Sequence, residues 1–214
     1  MRIVREGTPL EFYRDLGEHC LANYYHDHYP FDRDETLALE EHLRFDLADG
    51  GSGYRIQGFV DRIARARDGA IEIQDYKTSA RMPSQQQVDT DRQLALYQIG
   101  VGARFGRGRP VRLVWHYLRQ GRTLRSTRTP EALDRLAGET RALIDRIRRQ
   151  SIFPAKPSAL CGWCEFREGC PAGGAKRADR PLYTAPPPAP MPKRRKPPQP
   201  AGSDDQLAFS FAGS

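Results

Sequence analysis

Lysine is nearly missing from the first 170 residues of this 214-residue chain. Arginine fills almost every basic position there, and only Lys77 and Lys156 break the pattern. A chain that defaults to arginine yet places lysine between Tyr76 and Thr78 reads as needing a compact ammonium at that point. Long apolar runs are missing too. No stretch reaches the ~18 uninterrupted apolar residues of a membrane span, and the opening MRIVREGTPLEFYRDL lacks the apolar segment of a secretory signal. The expected setting is cytoplasmic, with no membrane partner. Cysteine is scarce, four in all, and in a reducing compartment these read as metal ligands or buried thiols, not disulfides. Nor is there an acidic excess. The formal net charge is +7, and beyond residue 170 seven basic residues face three acidic ones. That balance permits an anionic partner such as nucleic acid without identifying one.

Three segments are expected: a helical segment over 1–35, a core over 36–172, and a tail over 173–214. Leu10, Tyr13, Leu16, Cys20 and Tyr24 recur at helical spacing, predicting a helix over 8–25 with Pro9 in its first turn. Cys20 lies on that apolar stripe. HDHYPFDRDE then reads as a loop with His26 and His28 at the surface. Residues 36–47 alternate as a strand, with Leu37, Leu39, Glu41, Leu43, Phe45 and Leu47 on one face and Glu40 on the other. After a turn at Gly50-Gly51-Ser52-Gly53, residues 58–78 (GFVDRIARARDGAIEIQDYKT) read as two strands joined at Arg67-Asp68-Gly69, completing an antiparallel meander. A helix follows over 88–103, started near Asp89 or Asp91, with Leu94, Tyr97, Ile99 and Val101 towards the sheet. Two more strands are expected over 111–119 and 122–128. A last helix opens at Thr129-Pro130 and runs to about 150. Leu133, Leu136, Ala137, Leu143, Ile144 and Ile147 form its apolar side; Arg141, Arg146, Arg148 and Arg149 form its solvated side. The fold class is α/β (α+β), a mixed sheet flanked by helices. The Pro-rich, basic tail is too poor in apolar groups for a core and reads as a disordered linker.

Period two puts Phe59, Asp61 and Ile63 on one face, and Ile71, Ile73, Asp75 and Lys77 on one face of the next strand. Charges on a core-facing stripe are costly unless paired or bound to metal. An acid on one strand and acid-x-Lys on the next make sense as a metal-dependent phosphodiesterase. Two carboxylates hold a hard cation, Mg²⁺ or Mn²⁺, through oxygen; the cation activates water; the lysine orients the nucleophile or stabilises developing charge. Tyr76 would lend its backbone carbonyl. Cys161-x2-Cys164-x5-Cys170 is a ligand pattern in a loop-like stretch. Three thiolates suit a metal or an iron–sulfur cluster that takes a fourth ligand, whereas zinc sites more often pair two Cys-x2-Cys knuckles or use His.

G-F-V-D-R-I, then I-Q-D-Y-K-T, then D-R-Q-L-A-L-Y, resemble in order the motifs of the RecB-like branch of the PD-(D/E)XK nuclease superfamily, over about residues 37–171. The resemblance implies a restriction-endonuclease-like core and an Mg²⁺- or Mn²⁺-dependent deoxyribonuclease, exonuclease more than endonuclease, working on DNA in repair or recombination, with a helicase as candidate partner. It implies that Asp61 and Asp75 bind metal, that Lys77 is catalytic, and that Gln93 and Tyr97 belong to the helix motif beside the site. The family's further Glu is Glu40 by motif wording and Glu41 by strand period. It also implies a [4Fe–4S] cluster on Cys161, Cys164, Cys170 and an N-terminal cysteine, for which Cys20 is the sole candidate, with zinc as the alternative. The family's C-P-x-x-[F/Y] and G-x-x-x-H motifs are missing upstream. The chain therefore reads as N-terminally truncated or as a degenerate member, and the alternative function is a noncatalytic DNA-binding scaffold. At the other end Q-L-A-F-S-F resembles the bacterial sliding-clamp peptide, with Gln206 as polar anchor and Leu207, Phe209 and Phe211 filling pockets. The KRRK at 193–196 would add salt-sensitive DNA affinity.

Overall fold

The computed structural model describes residues 8–47, 53–105 and 108–158, with Leu160, Cys161, Cys164, Phe166, Arg167, Gly169, Cys170 and Ala172. Most of the turn expected at 50–53, the linker and basic cluster beyond 172, and the clamp-like peptide at 206–211 lie outside the described residues. The described elements run α1 (Leu10–His28), β1 (Asp34–Asp46), β2 (Arg55–Ala66), β3 (Ile71–Lys77), α2 (Gln85–Asp89), α3 (Gln93–Phe105), β4 (Val111–Tyr117), β5 (Arg122–Ser126) and α4 (Pro130–Arg149).

The strands form one mixed sheet in chain order. β1, β2 and β3 are the expected antiparallel meander, β4 lies parallel to β3, and β5 returns antiparallel. The β2–β3 turn closes at Gly69, whose φ of +83° suits glycine. The parallel pair needs a crossover, and α2 and α3 supply it. Leu94 and Val101 of α3 are buried with Ile63, Ile73, Leu113 and Trp115; each fully buried aliphatic side chain contributes roughly 1.5–3 kcal/mol. At Gly100 a Cβ would sit 2.5 Å from the Phe45 ring, so any side chain there would push α3 off β1. α4 packs on α3, with Ala137 in the core flanked by Leu133 and Leu136. Its Thr129 cap accepts from the Ala132 N–H at 3.2 Å, as the Thr-Pro start predicts.

Three local expectations are corrected. The first helix continues to His28, so His26 and His28 belong to its last turn, and Pro9 is its N-cap. Leu10 and Tyr13 are exposed, while His19, Cys20 and Asn23 are buried. The reason is that α1 meets polar backbone. The Asn23 amide donates to the Leu118 carbonyl at 2.9 Å and the His19 ring to that of Arg119 at 3.2 Å, at the β4–β5 turn. The helix expected over 88–103 is two helices, because the chain carries two start signals. Ser84 and Gln87 form a capping box on α2, and Asp91 Oδ1 accepts from the Gln93 and Leu94 N–H groups at 3.0 and 3.4 Å. Finally, Arg141 and Arg148 do not simply face solvent. Arg141 donates to the Leu47 carbonyl at 2.6 Å; Arg148 donates to that of Gly53 and lies over the Tyr54 ring, 5.4 Å from its centroid.

On the sheet face met by α1, His116 is buried. Its Nε2 donates to Gln74 Oε1 at 3.3 Å, and its Nδ1 accepts from the Thr123 hydroxyl at 3.1 Å, which uses both nitrogens of a neutral ring. Burial first, then the neighbouring charges of His28, Arg125 and Arg62, push its pKa down to about 3. An unfolded imidazole protonates near 6.5, so between these values the unfolded chain binds the extra proton. Stability is therefore expected to fall as pH drops from about 6.5 towards 3, by up to about 1.4 kcal/mol per pH unit from this group. Urea unfolding across that range measures the slope. His116→Gln should flatten it, and an unchanged slope would refute the assignment.

Candidate active site

The two faces alternate in β3, where Gln74 is buried on the opposite side from Ile73 and Asp75, and this alternation fails in β2. Ile71, Ile73 and Asp75 are all buried on the face that carries α3, and Lys77 follows them in register. In β2, Val60 and Ile63 are both buried although three residues apart, while Phe59 is 58% exposed. The expected stripe of Phe59, Asp61 and Ile63 therefore does not exist. The alternation changes parity at Asp61. β1 changes with it: Leu43, Phe45 and Leu47 are buried, but Leu39 is 64% exposed. Between the register pairs Leu39↔Arg62 and Glu41↔Val60, Glu40 stands opposite Asp61. Glu40 has φ +46°, a left-handed backbone that costs a non-glycine residue of order 1 kcal/mol and turns the strand's faces over.

The same point is where β2 leaves β3. Their pairing runs from Arg65↔Ile71 to Arg62↔Gln74, while β3 stays paired with β4 through Lys77↔Tyr117. In the fork, the Tyr76 N–H donates to Asp61 Oδ2 at 2.8 Å, so the carboxylate replaces a ladder carbonyl and is held beside Asp75. The Lys77 ammonium lies 2.7 Å from Asp75 Oδ2 and is the charged partner of that buried carboxylate. Lys77 also reaches Gln93 Oε1 at 3.5 Å, at the first turn of α3. Tyr97, one turn further along, packs over β2 where Gly58 makes room. A Cβ at Gly58 would lie 2.5 Å from the Tyr97 ring and 2.8 Å from its hydroxyl. Asp61, Asp75, Lys77, Gln93 and Tyr97 are thus borne by elements that meet at one fork.

Burial raises the pKa of Asp75; Lys77 opposes this, and the charges of Asp61 and Asp91 add to it. By sequence Asp91 is a helix-start residue alone. Its place beside the site follows from the break between α2 and α3, which no periodicity announces. Of the two candidate glutamates, Glu41 pairs with Arg104 of α3 and Glu40 is exposed at the fork. Among the described residues no three His, Cys, Asp or Glu side chains gather as a ready metal cage. A buried Asp75 carboxylate beside a second fixed carboxylate still fits a small hard cation, since Mg²⁺ commonly takes one or two carboxylates and keeps several waters. The thiols are different. Cys20 is 3% exposed within α1, its pKa raised by burial against the charge of Arg119. Cys161, Cys164 and Cys170 lie along successive turns. Among the described residues the four thiols are not gathered into one ligand set.

A family model, that of the PD-(D/E)XK nuclease superfamily, matches residues 6–171. Among solved structures, the crystal structure of SSO0001 is similar at 19% identity over 78% of this chain and 73% of that one, with a TM-score of 0.34. No curated protein matches the chain.

Because burial and like charge outweigh Lys77 at Asp75, its ionised form is worse placed in the folded protein than in the unfolded one. Without metal, that group's contribution to stability falls as pH rises above its unfolded value. Asp75→Asn is accordingly expected to raise the melting temperature in EDTA at neutral pH by about 2–4 °C, the change that about 1 kcal/mol makes in a domain of this size. The rise that millimolar Mg²⁺ gives the native protein should be lost. A destabilised variant that still responds to Mg²⁺ would contradict this account.

Proposed function

The chain belongs to the PD-(D/E)XK nuclease superfamily, whose members are in general metal-dependent nucleases, and we propose that it is a RecB-like deoxyribonuclease hydrolysing phosphodiester bonds in DNA repair or recombination, as an exonuclease. The observation that carries this reading is the fork. Asp61 is fixed by the Tyr76 amide, Asp75 is buried close enough to feel its charge, and Lys77 sits between Asp75 and Gln93. Asp61 and Asp75 would hold Mg²⁺ or Mn²⁺, with the Tyr76 carbonyl and Glu40 as further oxygen donors and Glu41 set aside by its pairing with Arg104. When bound, the cation supplies Lewis-acid activation of water and neutralises charge on the phosphoryl group. Lys77, about one-third exposed, presents an ammonium at the mouth of the fork. There it orients the nucleophile and stabilises charge as it develops. Gln93 holds that ammonium from the other side, and Tyr97 closes the site over Gly58.

Two further assignments rest on sequence pattern. Cys161-x2-Cys164-x5-Cys170 is proposed to bind metal, an iron–sulfur cluster before zinc, with Cys20 as the distant ligand. The Gln206, Leu207, Phe209 and Phe211 of the tail are proposed to dock on a sliding clamp, with a helicase as a second partner supplying the strand.

The full chain with Mg²⁺ or Mn²⁺ is expected to degrade single- or double-stranded oligonucleotides from their ends. Lys77→Ala should lower the rate at least about 100-fold, the usual scale for a charge-stabilising group. Gel-resolved digestion tests both points; wild-type inactivity or a fully active Lys77→Ala would overturn the reading. Protein purified without oxygen should carry iron and sulfide that Cys161→Ser removes; zinc, or no metal, would overturn the cluster.

A further inference from the structure

Phe59 sits in mid-strand and is 58% exposed. Its ring lies nearly parallel to that of His42, its register partner on β1, with centroids 4.5 Å apart and an angle of 15° between the planes. His42 covers one side of the phenyl ring and the exposure leaves the other open. Leu39, 64% exposed, lies three residues away on β1. These side chains take no part in the core, which begins with Leu43 and Val60 on the opposite face. A mid-strand phenylalanine left in water forgoes the burial that places such residues inside. Two arginines lie alongside, with the exposed Asp46 opposite Arg55 in the strand register. Arg44 and Arg55 are exposed, the first donating to His42 Nε2 at 3.4 Å, and neither has an ion pair among the described residues. Asp61 is two residues further along β2, about 7 Å at the rise of a strand.

We propose that Phe59, backed by His42, stacks an unpaired nucleobase of the substrate, next to the nucleotide whose phosphate reaches Asp61 and Asp75, while Arg44 and Arg55 follow the backbone. The inference rests on the nuclease reading and deepens it: the strand is held single at the fork. A flat ring, a second ring behind it and guanidinium groups alongside match the alternation of base and phosphate in a single strand. A protein partner of mixed surface has no need of that alternation. The parity change at Glu40 and Asp61 is what turns this ring outward, so one backbone feature sets both the acid and the platform beside it.

Binding measured in EDTA separates recognition from cleavage. Phe59→Ala in the full chain is expected to weaken binding of oligothymidylate about 5- to 100-fold, the range carried by one base–aromatic stack, with a blunt duplex little affected. Phe59→Trp should keep the affinity, and its emission should be quenched as oligothymidylate is added. Equal affinity for Phe59→Ala, a tryptophan indifferent to DNA because the chain's own tail covers it, or loss of a dimer in Phe59→Ala would each overturn the proposal. If digestion stands and Phe59→Ala binds normally, the platform alone fails. If the platform holds and no cleavage occurs, the nuclease reading fails and the chain is a single-strand binder.

Discussion

The hydrogen bond from the Tyr76 amide to the Asp61 carboxylate lies where two strands part, and the geometry of the site depends on it. Had β2 and β3 stayed paired to their ends, a ladder carbonyl would have satisfied that amide and left no space between the strands. Because they diverge, a side chain completes the ladder, and a carboxylate is fixed next to Asp75 without a loop to carry it. β3 meanwhile remains anchored to β4 through Lys77, so one wall of the fork is a continuous sheet. Precision here comes from strand pairing, which positions groups better than a loop would.

The opposite face of β3 is braced by a polar network rather than by oil. Tyr76 stacks on His116 and meets the Tyr24 hydroxyl at 3.1 Å. Gln74 accepts from His116 and Arg62 and donates to Asp34 and Glu72. Arg62 in turn binds both oxygens of Asp34. Buried polar groups are tolerated when each finds a partner, and nearly every member of this set does. The consequence is directional. Hydrogen bonds fix the azimuth of β3 where a purely apolar contact would let it slide, and Asp75 and Lys77 ride on that strand. α1 belongs to this network through Tyr24 and His28, so a helix that looks peripheral supports the site from behind.

Much of this was legible in the sequence where one period governed one element. β3 alternates cleanly, so Asp75 and Lys77 could be placed on a buried stripe, and the scarcity of lysine singled out Lys77. Thr129-Pro130 and Asp68-Gly69 marked their elements because cap and turn chemistry is local. The failures share a cause, the override of local period by partners distant in sequence. Period two places Phe59 and Ile63 on one face because nothing in β2 alone reveals a parity change that needs Glu40 on β1. The apolar stripe of α1 was misplaced because its partners are backbone carbonyls at residues 118 and 119, which have no side-chain signature. Arg141 and Arg148 read as solvated because an arginine bound to a carbonyl looks, in sequence, like any other on a polar helix face.

The choice between Glu40 and Glu41 shows how the two kinds of information combine. Period assigned the acid on the core face to Glu41, and that placement is right: Glu41 does face α3, where Arg104 neutralises it. Placement on the core face is, however, what removes Glu41 from the site, because an acid neutralised by its own helix has little charge left for a cation. Glu40 bears the backbone strain, stands opposite Asp61 at the fork, and among the described residues has no ion pair like that of Glu41. Strain of this kind persists where the surrounding structure imposes it, and here two strands impose it together. The acid that breaks the alternation, not the one that obeys it, is therefore the one we propose as the third carboxylate.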